Sequence, residues 1–375
     1  MDLALTEPQE MLRTAARGFI EREAPTHALV AWQRSDVSLM PELWRKAAEL
    51  GWLGMLIPSE YGGGDSSLTD AAVLYEELGR GPLPGPFWSS GVFSALTVLE
   101  AGSEEQRRAI LPKVARGETV MSVAVSEPNA SWGPQGVTLK PQRIGDRYRL
   151  DGTKLFVSDA TSATDLLVVV RTGDGPADLG LLVVDARARG VRARRLPGFL
   201  SWQCEVSFDG VEVPATQLLG GRENQGWAAL ERALRRALPV LCSYMVGGCQ
   251  AVFDMSVKHS QQRVQFGVPI GKFQRVQDHI IRLVNHLDAA RWTTAEALWK
   301  LDTDQPAAAA AVHMAKAVSS EAYLEACNAA HEVHAGQGSL TEYGLVAHTQ
   351  MSRTLFPYLG DPRWHKRRMA DALRW

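Results

Sequence analysis

Four histidines crowd the last part of the chain: His331 and His334 stand three residues apart, and His348 and His365 follow. Imidazoles at helical spacing are one mark of a metal site, yet no carboxylate or thiolate recurs beside them at ligand spacing. They are expected to be core histidines or neighbours of a bound cofactor, and no metal is expected. Cys204, Cys242, Cys249 and Cys327 contain no C-x-x-C pair, so they are expected to act as small apolar residues rather than as zinc ligands or a disulfide framework. Other residues have the right chemistry without a decisive pattern. Ser126 before Glu127-Pro128 can be an ordinary strand-end serine, and Phe156 with Ser158 in KLFVSD suits any half-buried strand. Arg263 followed by Phe266-Gly267 reads, on its own, as a surface arginine beside a core phenylalanine.

The elements that must position these residues are legible from periodicity. Residues 5–117 place apolar side chains at spacings of three and four in QEMLRTAARGFIEREA, PELWRKAAELGWLGM, LTDAAVLYEELGRG and SEEQRRAILPKVARGE, which predicts helices. Pro41 suits a first turn, Thr69 or Ser103 an N-cap, and Gly79 or Gly117 a helix stop. From Thr119 to about Leu219 the chain turns to short β-branched or alternating runs: VMSVAV, YRLDG, DLLVVVR, LGLLVVD, GVRARRL and CEVSFDGVEV. Helical periodicity returns at Gly226 and persists to Arg374, with an alanine-rich stretch whose small side chains imply close packing. The expected class is α+β, divided at 1–118, 119–225 and 226–375.

Bulk composition excludes some functions. Of 375 residues 45% are hydrophobic and 22% charged, as in an ordinary globular protein, and 40 basic residues against 42 acidic leave a net charge of −2. No overall field favours nucleic acid or anionic lipid. The N-terminus lacks the pattern of a secretory signal and no run approaches the roughly 18 uninterrupted apolar residues of a membrane span, so a cytoplasmic protein without a span is expected.

Read in order, the motifs resemble the acyl-CoA dehydrogenase family over essentially the whole chain. IPSEYGGG, GSEEQRRAILPKVARGE, SEPNA, DGTKLFVSDA, FDGVEVPATQLLG, RVQFGVPIGKFQRVQDH and HAGQGSLTEYG follow one another as the family's segments do. The resemblance implies an N-terminal helical domain, a middle β-barrel or sandwich and a C-terminal four-helix bundle. It further implies FAD as cofactor, an acyl-CoA thioester as substrate, α,β-desaturation as reaction and an electron-transfer acceptor for the reduced flavin, as in lipid metabolism. In such a reaction a carboxylate removes the α-proton, and hydrogen-bond donors at the thioester carbonyl stabilise the charge that develops there.

Residue by residue, the resemblance places Ser126 at the flavin's pyrimidine edge, and Phe156 and Ser158, where the family usually has Trp and Thr, beside the ring. Arg263, Phe266 and Gln274 fall in the segment that reaches the FAD of a neighbouring subunit, which implies a homo- or hetero-oligomer, a dimer or a tetramer. Glu332 and Gly336 fall in the pyrophosphate loop, where the family commonly has Gln and Gly; a carboxylate at Glu332 would oppose phosphate. Trp132 replaces the serine of a turn near the CoA phosphates.

The catalytic glutamate is missing. Its place in one branch of the family holds Ala237, with Leu238 and Arg235 also departing from the pattern, and its place in the other branch holds Leu359. The nearest carboxylate to the second is Asp361, either a re-aimed base or a helix cap after Gly360; Glu127, Glu231 and Glu342 are poorly placed. The late Gly-Asp form resembles a branch with heteromeric enzymes acting on bulky acyl-CoAs, including steroid side chains. Two expectations follow: an enzyme on its own, with an unusual base or a non-dehydrogenase flavin reaction, or a catalytically deficient subunit that completes the FAD site of a sister chain.

Overall fold

The computed structural model describes residues 4–33, 40–129, 131–197, 203–221 and 223–374. Along the chain run α1 (Glu7–Glu23), α2 (Thr26–Gln33), α3 (Pro41–Glu49), α4 (Leu68–Arg80), α5 (Ala95–Ala101) and α6 (Glu104–Ala115). Then come β1 (Met121–Ala124), β2 (Gln142–Ile144), β3 (Arg147–Ser158), β4 (Asp165–Arg171), β5 (Leu179–Asp185), β6 (Val191–Arg195) and β7 (Gln203–Pro214). The remainder is α7 (Gly226–Gln262), the hairpin β8 (Val264–Gln265) and β9 (Val268–Pro269), α8 (Gln274–Asp302), α9 (Ala308–His334), α10 (Leu345–Leu355) and α11 (Pro362–Leu373). This is the expected α+β order of N-terminal helices, a middle β region and a C-terminal helical bundle.

The chain forms two compact units. One comprises Asp36–Ser67 and Pro84–Ala237 and holds both larger sheets. The three-stranded sheet has the order β1-β4-β5, with β1 and β4 parallel and β4 and β5 antiparallel; the four-stranded sheet is antiparallel in the order β2-β3-β7-β6. A single apolar cluster draws on both, with Leu166, Val168, Val170, Leu182 and Val184 from the first and Leu150, Val157, Val206, Phe208 and Val211 from the second. β7 therefore alternates inward apolar with outward polar residues, whereas β4 and β5 are nearly continuous apolar runs. Ser103 and Gln106 form a capping box at the start of α6, and Gly117 lies just beyond its end at φ +70°, a left-handed position.

The other unit comprises Met1–Ser35, Leu68–Leu83 and Leu238–Trp375 and is helical. Its centre is α9, packed by α8, α10 and α11, and its many alanines allow that crowding: Ala311, Ala315, Ala322, Ala326 and Ala330 are all buried. Where α4 meets α7, glycine is required by close approach, since a Cβ on Gly79 would lie 1.9 Å from Tyr244 O and one on Gly247 1.8 Å from Glu76 O. Gly79 thus lies inside α4 as a packing residue and does not end it. Nor is Thr69 the cap of that helix: Asp302 accepts from the N–H groups of Leu68 and Thr69 at 3.0 and 2.9 Å. By length and composition α7 could cross a membrane, but 72% of its apolar stretch is buried inside the protein, as in a core helix.

Candidate functional site

In the sheet-bearing unit the candidate residues gather at the irregular end of β3. Its register against β7 shifts between Lys154 and Val157, so that Leu155 and Phe156 together stand opposite Glu205, and Phe156 is at φ +56°. A bulge re-aims a side chain at a sheet margin, here that of the aromatic. Leu155 N donates to Ser126 O at 2.8 Å, which brings Ser126 against the same bulge although it lies far back in sequence. Ser158 closes the strand; its Oγ accepts from Gln203 Nε2 at 2.8 Å and its carbonyl accepts from Ser122 Oγ. Asp159, at φ +58°, accepts from Ser89 Oγ at 2.9 Å, and Ser89 opens a π-helical turn, Ser89–Ser94. The sequence reading brought Ser126, Phe156 and Ser158 together, and missed Gln203 and Asp159.

Glu127 is fully committed within this unit. It accepts from Lys154 Nζ at 2.8 Å, from the N–H groups of Thr138 and Leu139 at 2.9 and 3.0 Å, and from the Thr138 hydroxyl. Burial pushes its carboxyl up, but Lys154, Thr138 and Leu139 outweigh that and hold it below the ordinary carboxylate range. Lys154 has a side-chain exposure of 0%, and burial pushes its ammonium down to about 8 against the pull of Glu127. Trp132 is half-buried in a loop that Asn129 Nδ2 closes onto Gly136 O at 2.7 Å.

In the helical unit Arg263 leaves α7 into the β8–β9 hairpin. Its two turn residues, Phe266 and Gly267, both have positive φ, +53° and +82°, as a type I′ hairpin turn requires. Phe266 is 92% exposed and meets Phe273 edge-on at 6.0 Å between ring centroids. Ile270 N donates to Arg263 O at 2.8 Å, and Gln274 starts α8 just beyond. Among the described residues neither the Arg263 guanidinium nor the Gln274 amide has a partner, and both face solvent. One corner therefore presents a cation, an aromatic ring and an amide.

The loop after α9 is built on Ala335, at φ +49° and ψ −137°, a conformation suited to glycine. Glu332 and Gly336 are exposed. The histidines are held by neighbours: His331 by Thr349 at 2.7 Å, His334 by Ser256 at 3.2 Å, His348 by Tyr323 at 2.9 Å and His365 by His313 at 2.9 Å. Burial pushes His334 down to about 4 and His348 to about 3, so both are neutral at pH 7. Among the described residues no group of three or more His, Cys, Asp or Glu could hold a metal ion, and all four cysteines are buried and outside any disulfide.

Residues 6–118 match the family description "Acyl-CoA dehydrogenase, N-terminal domain" and residues 224–373 match "Acyl-CoA dehydrogenase, C-terminal domain". The chain belongs to the acyl-CoA dehydrogenase family. It is 29% identical over 354 residues to the probable acyl-CoA dehydrogenase YngJ of Bacillus subtilis (strain 168), 92% of each chain being covered. It is 28% identical over 378 residues to the acryloyl-CoA reductase (NADH) of Anaerotignum propionicum, covering 98% of this chain and 94% of that one. Among solved structures, an acyl-CoA dehydrogenase from Geobacillus kaustophilus superposes with a TM-score of 0.92 at 25% identity, both chains being covered completely.

Ala237 and Leu359, the positions at which the sequence resemblance implies a catalytic glutamate, are then of most interest. Ala237 is fully buried, and its carbonyl accepts from Trp88 Nε1 at 3.1 Å. Leu359 is half-buried at φ +58° in the turn between α10 and α11. Its carbonyl oxygen meets His365 Nε2 at 3.2 Å and can only accept, so the His365 proton sits on Nε2 and its Nδ1 accepts from His313. Beneath the turn Lys316, fully buried, donates to Ser320 Oγ at 2.7 Å and to the carbonyls of Leu355 and Gly360, each at 3.3 Å. Burial pushes that ammonium down to about 8, with Cys242 and Asp361 pulling the other way. Asp361 Oδ1 accepts from Trp364 N at 2.7 Å, the N-cap of α11.

Proposed function

We propose that this chain is an FAD-dependent acyl-CoA oxidoreductase subunit that acts in the cytoplasm on an acyl-CoA thioester. The observation that carries the reading is the solvent-facing corner of Arg263, Phe266 and Gln274, three groups suited to an anionic dinucleotide. The residues present fit FAD: Ser126, through its carbonyl, and the Ser158 hydroxyl stand at the bulge that holds Phe156, and the Arg263 guanidinium is uncommitted. Bound FAD would supply a two-electron carrier, the acceptor when an acyl-CoA is desaturated and, once reduced, the donor for the reverse reaction, as relatives named dehydrogenase and reductase suggest. Ser126, Phe156 and Ser158 then bond and flank the ring, while Arg263, Phe266 and Gln274 hold the cofactor of a second subunit in a dimer or tetramer, homomeric or heteromeric. Glu332 and Gly336 border its diphosphate. The functional division 1–118, 119–225 and 226–375 is supported by the two family matches, which bracket the β region.

A specific observation favours the second reading, in which a sister subunit supplies the base. Ala237 and Leu359 cannot take a proton, and the Asp361 carboxylate caps α11. This chain would then contribute cofactor contacts and pocket walls to a heteromer that passes its electrons to an acceptor. Purification alone and together with a sister chain, followed by flavin quantitation and anaerobic titration with acyl-CoA, tests both. Stoichiometric flavin bleached by substrate in the lone chain would exclude the partner reading; absence of flavin from every preparation would exclude FAD.

A further inference from the structure

Gln203 opens β7, is almost wholly buried, and is the register partner of Ser158 at the end of β3. Its Nε2 donates to Ser158 Oγ at 2.8 Å. A hydroxyl oxygen that has accepted one hydrogen bond still has its own proton to give. Among the described residues the Ser158 hydroxyl gives that proton to none. The surroundings are held separately, the Ser158 carbonyl by Ser122 Oγ and the side-chain carboxylate of the next residue, Asp159, by Ser89 Oγ, while Ser158 itself pairs with Gln203 in the β3–β7 ladder. The backbone is therefore fixed, and the remaining freedom is rotation of the hydroxyl, which Gln203 restricts by occupying one lone pair with a donor.

We propose that Gln203 is a positioning residue: by donating to Ser158 Oγ it commits the Ser158 hydroxyl to donate to the bound flavin ring. This rests on the placement of Ser158 in the flavin site. The amide end presented to Ser158 decides the outcome. With Nε2 forward, the serine proton is turned away from Gln203; with an acceptor forward, the serine would spend its proton on the protein. A donor to the ring favours the more electron-rich, reduced flavin and so raises its midpoint potential.

The test uses the flavoprotein as purified, with any copurifying subunit, and reads the absorption spectrum and midpoint potential. Gln203→Glu is decisive because a carboxylate only accepts and would capture the serine proton. Ser158→Ala and Gln203→Glu are each expected to weaken the preference for reduced flavin about tenfold, which is about 30 mV for a two-electron couple. The double variant is expected to match Ser158→Ala alone, since one donor is lost once. Gln203→Met, of similar volume and without polar hydrogens, is expected to shift the potential less, and stands in should the glutamate variant lose its flavin. A shift with Ser158→Ala and none with either Gln203 variant, or additive shifts in the double variant, overturns the role of Gln203. No change in spectrum or potential with Ser158→Ala overturns the flavin-site placement instead.

Discussion

Asp361 caps the last helix of the chain: its Oδ1 accepts the Trp364 backbone N–H at 2.7 Å. The carboxylate nearest Leu359 in sequence thus already has a structural task. Asp361→Ala is expected to lower stability by about 1 kcal/mol, within the usual ~0.5–2 kcal/mol for a lost cap, and Asp361→Ser to restore most of it. Urea denaturation gives the comparison. Abolished substrate bleaching in both variants with unchanged stability would instead assign Asp361 to proton abstraction.

A glutamate placed at Ala237 or at Leu359 should behave differently. Ala237→Glu puts a carboxylate at a fully buried position and is expected to cost about 3–5 kcal/mol, the penalty of an uncompensated buried charge. Leu359→Glu adds it at a half-buried turn and is expected to fold with a far smaller loss. Thermal melts of the two variants check the order, and any gain of substrate-dependent flavin bleaching is expected with Leu359→Glu.

The Glu127–Lys154 pair ties the segment after β1 to β3. Lys154→Met strands a buried carboxylate and is expected to cost about 3–5 kcal/mol at neutral pH, whereas the double change with Glu127→Gln is expected to recover much of that loss.

The pair also sets a pH dependence with a definite sign. Glu127 is held below its ordinary 4.5, so its stabilising contribution is present above that value and is lost as pH falls through the folded value. Lys154 is lowered from 10.5 to about 8, so between these values the unfolded chain binds more protons and this group makes stability rise with pH. Urea melts from pH 3 to 10, compared with the double variant, isolate both limbs.

At the hairpin, Phe266 is exposed and sits at positive φ, so removing its ring costs the fold little. Phe266→Gly is expected to keep the melting temperature within a few degrees while weakening subunit association and flavin retention. Light scattering and flavin-to-protein absorbance ratios measure these. An unchanged oligomer with full flavin would remove this corner from the interface.

Local signals were read correctly where the physics is local. Pro41 opens α3, Ser103 boxes with Gln106, and Gly117 ends the α6 region in a left-handed conformation, because each acts on backbone within a few residues. The same reasoning failed at Thr69 and Gly79. The groups that decide those positions, Asp302 and the Tyr244 carbonyl, arrive from distant helices.

By itself the sequence determined the order of helices, strands and helices, the family's chain of motifs, and the two apolar residues where a base is expected, since these are properties of residue type and spacing. Only the tertiary structure decided what the polar side chains are doing. Lys154 reaches back to Glu127, Gln203 meets Ser158, and Lys316 lies under Gly360, each pair brought together across dozens of residues. A buried polar group must find a partner wherever folding places one, and no spacing along the chain announces which.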